Sequence, residues 1–329
     1  MQYRKLGNTD IDVSVLALGT WPFAGGRFWG NQDDDVSVAT VHAALDAGIN
    51  FFDTAEAYER GHAERVLGRG LDGRRHEAVI ATKVWAGNLA PDDVIKACEQ
   101  SLENLQTDYI DLYQIHWPNH QIPLAETVGA LKQLKEQGKI RAIGVSNFAV
   151  RDLSDMVALS KCQANQLPYS LLWRAIEHKI QPLCLEHNVG IICYSPLSQG
   201  LLTGRYATVD EVPDYLTGTR LYTGTRPNAE HDDPGCEVEV FATLKEIRRI
   251  ADELNQPMAA VSLAWIMQQS GITAVLVGAR KPEEVQWNLP AVELNLSERV
   301  ITKLAEVTES VKEKLGSNPD MWMSKSRMR

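Results

Sequence analysis

The sequence predicts an α/β fold: a single parallel (β/α)8 barrel of the TIM type, with an N-terminal β-hairpin, a long loop after strand seven and an additional C-terminal helix. Three observations predict it. Short apolar runs alternate with amphipathic helical patterns, and the runs number eight. They lack the polar alternation of half-exposed strands, as strands buried on both faces do. Each exits into a polar or turn residue, in order Thr20, Asp53, Lys83, His116, Ser146-Asn147, Gln166, Tyr194-Ser195 and Arg280. A doubly wound sheet would share the alternation, but no G-x-G-x-x-G follows the first run. A barrel brings all eight exits to one mouth, where active sites of this fold are built.

The elements follow in order. Tyr3 to Leu6 and Ile11 to Val15, joined through Gly7-Asn8-Thr9-Asp10, read as the hairpin. Strand one is Val15 to Gly19, and the helix over Asp34 to Ala47 places Val38, Val41, Ala44 and Leu45 on one face before Gly48 stops it. Strand two is Asn50 to Asp53, followed by a helix over Ala63 to Leu71; strand three is Ala78 to Lys83. Pro91-Asp92-Asp93 opens a helix through Leu105, because proline suits the first turn. Strand four is Tyr109 to His116. Helix Leu124 to Gln137 ends at Gly138, and strand five, Ile140 to Val145, runs into Ser146-Asn147. Helix Val150 to Ser160, strand six at Cys162 to Gln166, helix Ile176 to Glu186 and strand seven at Gly190 to Ser195 come next. Helix Ala259 to Gln269, strand eight at Ala274 to Gly278, a helix from Pro282 and the extra helix Ser297 to Leu315 complete the series.

Two segments break the repeat within what reads as one domain over 1–329. Ser198 to Gly235, rich in Gly, Thr, Pro and charge, exceeds a simple connector and is expected to act as a lid over the mouth. The tail Gly316 to Arg329 carries Trp322 between Met321 and Met323, and its expected place is open among the pocket, a subunit contact and disorder.

Composition narrows the function classes. A net charge of −10 without any basic run argues against nucleic acid or an anionic membrane as partner. No apolar stretch reaches membrane-spanning length and none leads the chain, so a cytoplasmic protein is expected. The cysteines Cys98, Cys162, Cys184, Cys193 and Cys236 are odd in number and widely spaced, which suggests buried thiols and neither a disulfide framework nor a metal site. A small molecule is the expected partner; the oligomeric state is open.

The chemistry concentrates at Asp53, Tyr58, Lys83 and His116, which lie at or just beyond predicted strand ends two to four. A free phenol titrates near pH ~10 and needs a neighbouring cation to become useful at neutral pH. Lys83 would supply that cation, Asp53 would pair with the ammonium, and His116 could hydrogen-bond a substrate carbonyl. Such a set suits proton transfer to a carbonyl that receives hydride. Trp21, Trp29, Trp85, Trp117 and Trp173 fall just after predicted strands one, three, four and six. With Tyr58 and His116 they would wall a pocket for apolar or ring-bearing carbonyls or a stacked sugar, though some rings could instead plug the barrel top.

Taken together, Asp53-Thr54-Ala55-Glu56-Ala57-Tyr58, Thr82-Lys83, Asp108 through His116-Trp117-Pro118, Gly138 through Phe148, Tyr194-Ser195-Pro196-Leu197 and Gly200-Leu201-Leu202-Thr203-Gly204 are specific. On these residues the chain resembles the aldo-keto reductases over essentially its whole length. The resemblance implies a carbonyl reductase using NADPH/NADP+, with NADH/NAD+ as an alternative, and Tyr58 as general acid. It implies further that Ser146, Asn147 and Gln166 hold the carboxamide, that Tyr194 stacks on the nicotinamide, and that Ser195, Leu197 and Arg205 meet the pyrophosphate. Thr20, Trp21, Asp53 and Gly200 would also line the cofactor site, and Gly278, Arg280, Glu284 and Asn288 would form its adenosine end. Glu284 stands where relatives commonly have Gln or Arg, and a carboxylate there would repel a 2′-phosphate. Arg280 would attract one.

Rival readings belong to other classes. A metal-dependent barrel hydrolase would rest on His116 and His120, but Pro118 between them disfavours a shared helical face. A Schiff-base lyase using Lys83 would leave Asp53 and Tyr58 unexplained. A cofactor-binding regulatory subunit, like the channel-associated β subunits that share these motifs, would keep the same residues with little turnover.

Overall fold

The computed structural model describes residues 1–329, apart from the side chains of residues 27 and 28. Strands β1 (Tyr3–Lys5) and β2 (Asp12–Ser14) pair antiparallel, with Tyr3 opposite Ser14 and Lys5 opposite Asp12. The turn between them closes through Leu6 N to Ile11 O at 2.9 Å and through the Thr9 hydroxyl, which donates to Leu6 O at 2.8 Å. Eight further strands follow: β3 (Leu16–Gly19), β4 (Phe51–Asp53), β5 (Val79–Val84), β6 (Ile110–Ile115), β7 (Ile140–Ser146), β8 (Ala164–Pro168), β9 (Gly190–Tyr194) and β10 (Ile272–Gly278). They form a closed barrel of parallel neighbours, in which β10 pairs with β3 from Val275–Leu16 to Gly278–Gly19.

Two apolar layers hold this arrangement. Inside the barrel, Ala17, Ala81, Ala142, Ala164 and Ala274 alternate with the larger Phe51, Leu112 and Ile192. Leu6, Ile11 and Val13 of the hairpin belong to the same cluster, so the hairpin seals the end of the barrel opposite the mouth. Arg4 fastens it to the first residue of β10 and to the end of the helix Met258–Met267 before it, by donating to Ile272 O at 2.5 Å and Met267 O at 2.7 Å. The outer layer packs helices on the barrel wall, and their ends follow local chemistry. The Asp33 carboxylate accepts from Asp35 N and Val36 N at 2.8 and 3.2 Å at the start of Asp34–Asp46. Pro91 opens Pro91–Leu105, and Gly138 lies just beyond Leu124–Glu136.

The order of elements agrees with the sequence reading; several bounds do not. The strand expected at Cys162 to Gln166 begins and ends two residues later, and the last barrel strand starts at Ile272 instead of Ala274. The expected helix over Ile176 to Glu186 is a 3-10 turn, Ala175–His178, followed by Ile180–Glu186. The C-terminal helix breaks in two at Thr308, giving Glu298–Val307 and Glu309–Leu315. An unexpected helix, Glu237–Glu253, follows the long loop, and the loop itself contains the 3-10 turns Ser198–Thr203, Val209–Glu211 and Asp214–Leu216. Among the described residues no helix is long and apolar enough to cross a membrane.

Candidate active site

The mouth is built outward from a buried ion pair. Asp53 ends β4, and Lys83, the penultimate residue of β5, points into the barrel, where it is 0% exposed and Asp53 3%. The Lys83 ammonium donates to Asp53 Oδ1 at 2.6 Å, to Thr54 O at 2.8 Å and to Tyr58 Oη at 3.3 Å. All three of its donors are thereby placed. Burial lowers its pKa, but the charge of Asp53 and then Tyr58 outweigh it, so Lys83 is held above its ordinary value and stays charged. Asp53 Oδ2 accepts from Gln166 Nε2 at 2.7 Å and lies 3.4 Å from Gln114 Nε2.

Tyr58 reaches this pair from the loop after β4. Burial raises the phenol above its ordinary value, Lys83 pulls it down and Asp53 adds to the rise. The sequence-based expectation of a phenol more acidic than usual is corrected here: desolvation is larger than the pull of the ammonium. His116 stands edge-on to Tyr58, with ring centroids 5.9 Å apart, and edge-on to Trp85 at 5.6 Å. Burial and then the Lys83 charge hold the imidazole well below its usual value, so it is neutral at neutral pH. Its Nδ1 is buried without a hydrogen-bond partner among the described residues. Tyr58, Lys83, Asp53 and His116 therefore converge. A neutral imidazole, a protonated phenol and a fixed ammonium face one space, an arrangement suited to stabilising and protonating a developing alkoxide.

Beside them, the ends of β7, β8 and β9 form a polar ledge. Asn147 takes a left-handed backbone, φ 62°, and its Nδ2 donates to His116 O at 3.0 Å and to Ser146 Oγ at 3.1 Å. Tyr194 donates its hydroxyl to Asn147 Oδ1 at 2.8 Å, and Ser146 Oγ donates to Gln166 O at 3.0 Å. Ser146, Asn147, Gln166 and Tyr194 are thus in one connected set. Beyond it the chain turns through positive φ at Ser195, Ser198, Gln199 and Gly200, while Leu197 O accepts from Gly200 N at 3.0 Å. Three of these four are not glycine, and such strain gathers at ligand sites. The stem of Arg205 packs against Gly200, and its guanidinium lies 5.0 Å over the Tyr206 ring and enters no ion pair among the described residues. A cation left unpaired beside a strained loop can take an anionic ligand.

Arg280 is less free. Its Nε donates to Gln32 Oε1 at 2.9 Å and its Nη2 to Asn31 O at 2.8 Å, while Gln32 Nε2 donates back to Arg280 O at 2.8 Å. Glu284 Oε2 accepts from Arg280 N at 2.8 Å, and Asn288 donates to Glu284 O at 2.8 Å. Gly278, Arg280, Glu284 and Asn288 sit together at the end of β10. Thr20 spends its hydroxyl on Asp53 O, 3.1 Å away.

The aromatic residues divide. Trp21 stacks near Tyr58 at 6.2 Å and meets Trp29 edge-on at 5.5 Å; Trp21 and Trp85 are 41% and 45% exposed at the mouth. Trp173 does not join them. It is 1% exposed and donates Nε1 to Pro319 O at 3.3 Å, so it props the C-terminal segment from below. That segment crosses the mouth: Trp322 lies parallel to Tyr194 at 6.2 Å and edge-on to Trp117 at 6.2 Å. Arg327, its Nε and Nη2 on the buried Asp320 carboxylate at 2.7 and 2.8 Å, covers the Trp117 ring at 3.9 Å. Sequence reasoning did not place Trp322, Arg327 or Gln114. Gln114 had a signal, since a polar residue in a wholly buried strand needs a partner; Trp322 had none, because a tail's path is set by long-range contacts. His120 pairs with Asp152 at 2.9 Å and not with His116, and the described residues hold no group of three or more His, Cys, Asp or Glu placed for a metal ion.

A profile of the Aldo/keto reductase family matches residues 15–309. The NADH-specific methylglyoxal reductase of Escherichia coli (strain K12) is 34% identical over 334 residues, which cover 94% of this chain and 99% of that protein. The structure of a glycerol dehydrogenase from Gluconobacter oxydans superimposes with a TM-score of 0.82 at 31% identity, covering 97% of each chain. That of an aldo-keto reductase from Klebsiella pneumoniae in complex with NADPH gives 0.72 at 29% identity, over 90% of this chain and 92% of the other.

Proposed function

Because the chain belongs to the aldo/keto reductase family, an oxidoreductase family, we propose that it reduces aldehydes and ketones to alcohols with NADPH, and with NADH less readily. The single observation that carries the reading is the convergence of Tyr58, Lys83, Asp53 and His116 at the barrel mouth. The residues present suit the cofactor. Asn147, Ser146 and Gln166 offer amide and hydroxyl groups to a carboxamide, and Trp322 lies along Tyr194, whose opposite face would carry the nicotinamide ring. Arg205 and the strained loop at Ser195 to Gly200 would meet the pyrophosphate.

When bound, the reduced nicotinamide supplies the hydride. Everything else falls to this chain's own side chains. His116, neutral, would orient the carbonyl oxygen by a hydrogen bond. Tyr58, protonated at neutral pH, would give its proton to that oxygen as negative charge develops there. Lys83 would stabilise the phenolate left behind, and Asp53 would keep the ammonium in place. Trp21, Trp29, Trp85 and Trp117 would exclude water and favour apolar or ring-bearing carbonyls.

Loss of reduced-nicotinamide absorbance with a simple aldehyde tests the activity, run with NADPH and NADH in parallel. Tyr58→Phe is expected to cut turnover by roughly 10²–10⁴-fold with cofactor binding unchanged, the usual worth of a positioned proton donor. Near-native turnover in that variant would remove Tyr58 from its role. Cofactor binding without turnover in the wild type would favour the regulatory-subunit reading.

A further inference from the structure

Arg220 lies in the long loop after β9, far in sequence from the catalytic residues, and is only 8% exposed. Its donors go almost wholly to the C-terminal segment. Nη1 reaches Asn318 O at 3.3 Å and Asp320 O at 3.2 Å, Nη2 reaches Leu315 O at 3.4 Å, and its main-chain N donates to Met321 O at 2.8 Å. Nε pairs with Asp233 of the same loop, and the guanidinium lies over the Trp173 ring at 5.8 Å. A second stitch runs between Asp232 N and Ser324 Oγ at 3.2 Å. A buried guanidinium loses heavily if its donors go unmet, and here three carbonyls meet them only while residues 315–321 keep this path. The residue that follows is Trp322, parallel to Tyr194 and edge-on to Trp117 beside His116.

We propose that Arg220 is a positioning residue for substrate recognition: it welds the loop over 198–235 to the segment over 316–329, so that the loop sets where Trp322 stands at the mouth. The consequence for substrate choice rests on the reading of that mouth as a carbonyl-reducing site; the weld itself does not. The groups that act on the carbonyl, Tyr58, Lys83 and His116, make no contact with Arg220 among its hydrogen bonds and ring contacts. Its removal should therefore move KM more than kcat. Because it acts through Trp322, its effect should vanish when Trp322 is gone.

The test is a double-mutant cycle on benzaldehyde reduction with Arg220→Met, Trp322→Ala and the pair. Each single variant is expected to raise KM by roughly five- to tenfold, and the double variant to match Trp322→Ala alone, since residues coupled through one contact do not add. kcat should stay within about twofold throughout. Arg220→Lys keeps the charge but cannot span three carbonyls, and should show the same non-additivity. Additive effects on KM, or a loss confined to kcat, would overturn the proposal. If the wild type reduces no benzaldehyde, the carbonyl reading fails separately and tryptic release of the segment after Lys325 decides the weld. Release should be faster in Arg220→Met than in the wild type, and equal rates would overturn it.

Discussion

An ammonium taken wholly out of water, as Lys83 is, stays charged only while Asp53, Thr54 and Tyr58 meet its donors. That dependence makes it the residue through which the reactivity of Tyr58 can be read. Burial raises the phenol, Lys83 lowers it, and Asp53 raises it again. In Lys83→Met the lowering by the ammonium disappears while burial, the largest influence, still raises the phenol, so it must become harder to ionise. On the proposed mechanism alcohol oxidation needs the phenolate, and its rate should therefore rise with pH later than in the wild type. A rising limb that stays in place, measured as kcat against pH, would mean that another group titrates. The convergence of Asp53, Tyr58, Lys83 and His116 could be read from the sequence because strand ends meet at a barrel mouth whatever the helices between them do. The balance on Tyr58 could not, since it depends on how completely neighbouring side chains desolvate the ring.

At the scale of elements, alternation revealed every barrel strand but hid one long helix. Glu237–Glu253 buries Val240, Phe241, Leu244, Ile247 and Ile250 at helical spacing, yet a repeat of one helix per strand has no place for it before Met258–Met267. The turn after β10 shows a different limit. Sequence set Arg280 and Glu284 against each other over a 2′-phosphate; in the structure Glu284 Oε2 holds the Arg280 backbone, and Gln32 with Asn31 holds its guanidinium. Nη1 is the nitrogen not engaged in those bonds. A hydrogen bond from a charged donor is worth roughly 1.5–3 kcal/mol and an exposed like-charge contact less, so a modest NADPH preference is expected. Arg280→Ala should swing the ratio of dissociation constants toward NADH, and Glu284→Gln should increase the NADPH preference. An unchanged ratio in both would place the adenosine end elsewhere.

For the molecule as a whole, the barrel separates stability from chemistry along its axis. The mouth carries the buried ion pair, the polar ledge and the aromatic wall, while the other end is closed by the hairpin, whose Leu6, Ile11 and Val13 share the interior core. Near the mouth a glycine makes room for chemistry: a Cβ on Gly144 would come within 2.9 Å of Leu112 and 3.1 Å of Gln114, whose amide faces Asp53. At the sealed end a glycine makes room for the plug. Gly7 has φ 53°, and a Cβ there would lie 2.0 Å from Gln163 O, a main-chain atom that cannot swing aside. Gly7→Ala must therefore lift the hairpin turn off the barrel floor as well as strain the backbone. A loss of roughly 2–4 kcal/mol in denaturant unfolding is expected, combining a disfavoured left-handed backbone with disrupted packing. Turnover per folded molecule should be nearly unchanged, because the strands that carry Asp53, Lys83 and His116 are anchored by their pairing with one another as well as by the plug. Unfolding midpoints and kcat measured on the same preparations decide it: wild-type stability would show that the turn yields freely, and lost kcat at full stability would show that the two ends are coupled through the barrel interior.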